Sequence, residues 1–188
     1  MAMPATPTVW TADMLDAIPD DGRRWEVIDG QLLVTPSPSD DHQFVVGELY
    51  VRFHAHVQRS TVARVVLSPS DVRRGSTTRM QPDVFVIGLQ NGHRPEFPFL
   101  LSDLLIVIEV ISPSSARADH HDRRRAYLGA GVPEYWIVDP DAQHVERWRA
   151  HEDRPEVMSE QIEWNPSGMD HPLVISLPEL FAAASSDR

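Results

Sequence analysis

The sequence predicts an α/β fold in which helices cover both faces of a sheet, and three observations carry that expectation. Two runs, Asp83–Ile87 and Leu104–Ile111, are almost continuously apolar and β-branched, the pattern of strands buried on both faces. Two longer segments, from Ser39 to about Arg59 and from Ser115 to about Ala130, carry helix signals. Asp29-Gly30 separates two short β-rich runs, which is a hairpin signature.

In chain order, Thr11 is a helix N-cap residue for a short helix through Ala17, with Asp13 in its first turn, and Pro19-Asp-Asp-Gly22 ends it. Arg24–Ile28 and Gln31–Thr35 form the hairpin. Ser39 or Asp40 caps the long helix, and Phe44, Val45, Leu49, Phe53 and Val57 are expected on its sheet-facing side because most recur at four-residue spacing. Val62–Leu67, Asp71–Arg74, Arg79–Ile87 and Leu104–Ile111 read as strands. Ser112-Pro-Ser-Ser115 opens the second helix and Gly129 or Gly131 closes it; Glu134–Val138 is a further apolar strand. Val145–Arg149 and Val157–Trp164 alternate as strands do, and Pro178–Ala183 closes the chain as a short helix.

The 188 residues suit one domain, 1–188 with a core of about 11–181, large enough to bury a core without disulfides. There is no cysteine, which removes thiol catalysis, disulfide frameworks and thiolate metal sites. The start Met1-Ala-Met-Pro-Ala-Thr-Pro7 has no basic and apolar leader pattern, and no run approaches the length of a membrane span, so a soluble, cytoplasmic protein is expected. A formal charge of -11 argues against nonspecific coating of nucleic acid, though not against a local basic patch. All 17 basic residues are arginines, so lysine chemistry is unavailable.

Asp83 and Glu109 are the residues that carry chemistry. An acid in a buried strand loses hydration and must be neutralised, paired or bound to a cation. Two of them on neighbouring strands, with the Ile111 backbone carbonyl two residues on from Glu109, supply the oxygen ligands that magnesium or manganese takes. Such an ion would stabilise charge on a phosphodiester under attack. The same residues also allow a plain structural arrangement, in which Asp83 anchors a turn after Pro82 and Glu109 pairs with an arginine. On the following helix Asp119, Arg123 and Tyr127 share one face at four-residue intervals, so Arg123 can stand beside the acids as a phosphate cation while Arg124 and Arg125 form a solvated face. His120 and His121 point about 100° apart on a helix and do not share an ion. Ser112 and Ser114 lack the glycine pattern of a nucleophile elbow.

Arg24-Trp-Glu-Val-Ile-Asp-Gly30, Asp41-His-Gln43, Gln81-Pro-Asp-Val84, Val107-Ile-Glu-Val-Ile-Ser-Pro-Ser114 and Tyr127 through Gly131-Val-Pro-Glu-Tyr-Trp-Ile-Val-Asp139 together resemble the Uma2-type restriction endonuclease family (DUF820) of the PD-(D/E)XK nuclease superfamily. The resemblance implies a restriction-endonuclease-like mixed central sheet flanked by helices, with an N-terminal β-hairpin. It implies Mg2+ (or Mn2+) as cofactor, DNA as substrate and a homodimer. It matches Asp83 and Glu109 to the two metal-binding acids and Arg123 to a lysine moved onto the following helix; Glu26, His42, Gln81 and Tyr127 match accessory positions. Arginine stays protonated, so it can orient and neutralise phosphate but not accept a proton. Magnesium-dependent hydrolysis of DNA phosphodiesters is the leading expectation. The alternative is a catalytically weak or inactive nuclease-fold protein that acts as a DNA-binding or interaction module.

Overall fold

The computed structural model describes residues 9–185, so the Met1–Pro7 start read above for a leader lies outside the described residues. A 3-10 turn at Ala12–Ala17 leads into the hairpin of β1 (Arg24–Ile28) and β2 (Gln31–Thr35). Asp29 and Gly30 take φ values of 50° and 81° at its turn, the left-handed conformations that Asp-Gly tolerates. Helix α1 (Asp40–Val57) is capped by the Ser39 side chain, which accepts from the His42 N–H. Strands β3 (Ala63–Leu67), β4 (Val72–Arg74), β5 (Thr78–Met80), β6 (Val84–Gly88), β7 (Phe99–Leu100) and β8 (Leu104–Val110) follow. The connection to β9 (Glu134–Asp139) is helical from Ala116 to Gly129: α2 (Ala116–Ala118), a π turn over Asp119–Arg123, then α3 (Arg124–Gly129), with Gly131 at φ 89° just beyond. Then come β10 (His144–Arg149), β11 (Glu156–Met158), β12 (Gln161–Trp164), β13 (Leu173–Ser176) and α4 (Leu177–Ala184).

The central sheet is mixed, in the order β11-β10-β9-β8-β6-β3, with β8 and β9 parallel and its other pairs antiparallel. A parallel pair requires a crossover, and the α2–α3 segment supplies it. A second sheet runs β2-β1-β5-β4-β7, and β12 pairs with β13. Alternation along the central strands sends Val84, Val86, Ile106, Ile108 and Val110 into a core with α1 and α4. Phe85, Ile87 and Val107 enter the opposite core, with Tyr127 of α3 and with Ile28, Val72 and Met80 of the second sheet. Both faces of the apolar strands are therefore covered. Among the described residues, no helix is long and apolar enough to cross a membrane.

Several expectations need correction. Arg79–Ile87 is two strands in two sheets, because Gln81-Pro82-Asp83 breaks the ladder and Pro82 has no N–H to donate. Val157–Trp164 is likewise divided between β11 and β12, and β7 and β13 were not foreseen. Leu104–Ile111 ends one residue early at Val110, although the Ile111 N–H still donates to Val138. Thr11 precedes a 3-10 turn, and its side chain makes no cap bond. Phe44 is 47% exposed, since it lies about 100° around the helix from Val45; Val46 and His42 are buried instead. The second helix is interrupted by the π turn, where the ladder widens for one turn around Asp119–Arg123.

Candidate active site

Antiparallel pairing of β6 with β8 sets Val84 opposite Ile108, so Asp83, one residue before β6, comes opposite Glu109. Both acids lie on the face that carries Phe85 and Val107, turned toward α3 and the second sheet. The Asp83 N–H stands 3.4 Å from Glu109 Oε2, and the Val110 N–H donates to Asp83 Oδ2 at 2.9 Å. Each acid therefore lies against the other's strand.

The neighbours come from three directions. From α1, His42 Nε2 stands 3.3 Å from Asp83 Oδ2. From α3, Tyr127 donates its hydroxyl to Glu109 Oε1 at 2.8 Å. The π turn delivers Arg123, whose guanidinium donates to Glu26 and Asp119 and whose Nε lies 3.8 Å from Glu109 Oε1 with no hydrogen-bond partner of its own. From β1, Arg24 and Glu26 project from the same face because strand side chains alternate. Arg24 donates to Asp83 Oδ1 at 2.7 Å and reaches within 3.9 Å of Glu109 Oε2. Glu26 accepts the Gln81 N–H at 2.8 Å, which anchors the chain just before Asp83.

Burial alone would raise the Asp83 carboxyl, but the hydrogen bond from His42 and the charge of Arg24 outweigh it and hold Asp83 well below the usual carboxylate range. Burial pushes Glu109 well above that range; Arg123 opposes the shift, and the negative charges of Asp83 and Asp119 reinforce it. Within the pair, Asp83 is thus the carboxyl that ionises more readily and Glu109 the one that binds a proton more tightly. Burial also raises Asp119 against the pull of Arg123. For Arg123, burial favours loss of charge, yet Glu26, Glu109 and Asp119 outweigh it and keep the guanidinium charged. Burial, then the charge of Glu109, pushes Tyr127 up, so its hydroxyl remains a donor.

The residues proposed from sequence therefore converge. Asp83, Glu109, Arg123, Glu26, His42 and Tyr127 form one connected cluster; Ile111 lies just past the end of β8 beyond Glu109. Gln81 joins it through its backbone, since its side-chain amide donates to Asp71 instead. Arg123 is 1% exposed and engaged with carboxylates, whereas Arg24, which sequence reasoning had not placed at the site, keeps 15% of its side chain exposed. The available signal was its position two residues before Glu26 on one strand face. Two cavities, of about 200 and 560 Å³, meet at Arg24 and Asp83; Ser112 and Ser115 line the smaller, Trp25 and Arg79 the larger.

Among the described residues no group of three or more His, Asp or Glu side chains is arranged to hold an ion. The donor chemistry of the pair nonetheless fits a hard divalent cation completed by water and phosphate oxygens. Glu26, Asp83, Glu109 and Asp119 are four buried acids set against two arginines, Arg24 and Arg123, so the fully ionised cluster carries a formal charge of −2. A divalent ion would balance it; proton binding by Glu109, whose carboxyl is pushed up by burial, is the other way to reduce the charge.

The profile of the Uma2 family, described as "Putative restriction endonuclease", matches residues 12–184. A solved structure described as a putative nuclease belonging to DUF820, from Anabaena variabilis ATCC 29413, is similar with a TM-score of 0.76 at 23% identity, covering 93% of this chain and 99% of that one. At that identity the likeness bears on the fold. No curated protein matches this chain.

Proposed function

The chain belongs to the Uma2 family, and from that premise we propose that it is a single nuclease-like domain hydrolysing DNA phosphodiester bonds with a divalent metal ion. The observation that carries this reading is the placement of Asp83 and Glu109 opposite one another, buried and on one face of the central sheet. Asp83 and Glu109, with the Ile111 carbonyl, would hold magnesium or manganese. Bound there, the ion supplies the charge that stabilises a phosphodiester under attack and eases deprotonation of the attacking water.

The protein's own groups keep the acids in place. Tyr127 and Asp83 N–H orient Glu109, while Val110 N–H and His42 orient Asp83. Arg123 neutralises Glu26 and Asp119 and places a positive charge beside Glu109, where it would offset negative charge on the substrate electrostatically rather than by proton transfer. Protonated arginine in that position, sealed from solvent, is also what favours the second reading, a nuclease fold that binds DNA and cleaves weakly.

Purified protein incubated with duplex and single-stranded DNA in magnesium or manganese tests the first reading. Cleavage by wild type, lost in Asp83→Asn and Glu109→Gln together with calorimetric manganese binding, is the expected result. Manganese binding unchanged in the double variant overturns the metal site; binding without cleavage on every substrate selects the second reading.

A further inference from the structure

Among the described residues, Arg24 is the cation within reach of both acids, with Nη2 2.7 Å from Asp83 Oδ1 and Nη1 3.9 Å from Glu109 Oε2. We propose that Arg24 holds the place between Asp83 and Glu109 in the metal-free protein and, when a divalent ion takes that place, turns into the adjoining cavity to bind the non-bridging oxygens of the DNA phosphodiester. The inference rests on the nuclease reading and assigns a substrate-positioning residue to it.

Four features support it. First, the grip of Arg24 is uneven: one short charge-assisted bond to Asp83, and only a long approach to Glu109. Arg123, by contrast, donates to two carboxylates. Second, the base of Arg24 is fixed while its head has room. Its backbone pairs with Thr35, and Glu26 on the same face is tied to the Gln81 N–H and to Arg123. Its side chain borders both cavities, so rotation carries the guanidinium from the acids into open space without moving the strand. Third, a guanidinium and a divalent cation repel and compete for the same carboxylate oxygens, so occupancy by one disfavours the other. Fourth, a guanidinium released beside the acids presents the planar fork that matches two phosphate oxygens. Serine hydroxyls and the small side chains of the 36–39 and 112–115 loops line the smaller cavity together with Asp83 and the basic side chains of Arg24, Arg123 and His42.

Competition of this kind is reciprocal: Arg24 weakens metal binding, and metal makes Arg24 available to the phosphate. Manganese is titrated by calorimetry into chelator-stripped wild type, Arg24→Gln and Arg24→Lys, without DNA. Arg24→Gln is expected to bind about tenfold more tightly than wild type, inside the usual range of coupling between two sites, and Arg24→Lys in between. With calcium as the ion, a short duplex should bind wild type more tightly than Arg24→Gln, and the difference should vanish in chelator. On wild type itself, the Arg24 Nε–H resonance should shift as magnesium is added, which keeps the test valid should a variant fail to fold. Equal manganese affinity in wild type and Arg24→Gln, with binding still dependent on Asp83 and Glu109, overturns the exchange while leaving the nuclease reading standing. An Arg24 resonance unmoved at saturating magnesium does the same. Equal duplex affinity in calcium removes the phosphate role, and no manganese binding by any of the three proteins overturns both readings.

Discussion

Tyr127 donates its hydroxyl to Glu109 Oε1 at 2.8 Å, a bond between two fully buried side chains that ties the crossover helix to the strand it follows. The phenol ring also packs against Tyr135 at a centroid distance of 5.2 Å. A single residue thus serves the apolar core with its ring and the acidic cluster with its oxygen.

Tyr127→Phe keeps the ring and deletes the bond. Leaving a buried carboxyl oxygen without its donor should cost about 1–3 kcal/mol in urea unfolding. Manganese affinity should fall as well, because Glu109 is then free to rotate. A variant as stable as wild type would show that the bond contributes nothing net.

Glu109→Gln should separate from wild type with rising pH in the absence of metal. The carboxyl is raised well above its ordinary 4.5 in the folded protein, so above about that pH the unfolded chain has lost a proton that the folded chain retains. Wild-type stability should then decline with pH by up to about 1.4 kcal/mol per unit until Glu109 ionises in the folded state. Glutamine carries no such proton. Unfolding midpoints at several pH values check this, and parallel profiles for the two proteins would refute the raised carboxyl.

Arg123→Ala strands Glu26 and Asp119, two buried acids, without their shared cation. Removing one partner of a buried pair costs about 3–5 kcal/mol, so this variant should be severely destabilised and its activity uninformative. Arg123→Lys keeps the charge but cannot span both acids with a planar fork, and should be destabilised less. Its cleavage rate decides whether charge is enough: similar rates mean that charge suffices, whereas a rise from near zero means that a proton-accepting amine is required.

Phe53→Ala tests the separation of the two faces. Phe53 packs on Trp136 and Trp164, beneath α1 and away from the acids. Loss of the ring should cost about 3–5 kcal/mol in denaturant unfolding. The remaining folded protein should bind manganese as wild type does; a weakened site would mean that the α1 core helps to shape it.

Patterns confined to neighbouring residues were legible in the sequence. The Asp29-Gly30 turn, the four-residue spacing of Val45, Leu49, Phe53 and Val57, and the apolar run of β8, interrupted by Glu109 alone, each depend on local geometry, and each forms the element expected of it. Pairing across distance was less legible. Nothing local assigns β5 and β6 to different sheets, and only Pro82 marked the break. At the site, the opposed acids followed from reading two strands as neighbours. Arg24 was missed because its meaning comes from the second sheet packing over the first, a contact that periodicity does not encode. Gln81, matched to an accessory position, takes part through its backbone N–H, which holds Glu26, a role that side-chain identity does not reveal.

The wide sequence separation of the cluster has a consequence for how the protein is made. Glu26 meets its cation 97 residues later, and Arg24 meets Asp83 after 59. A chain emerging from the ribosome presents Glu26, Asp83 and Glu109 before Arg123 exists, so the native pairing of the cluster cannot close until the crossover helix has been synthesised.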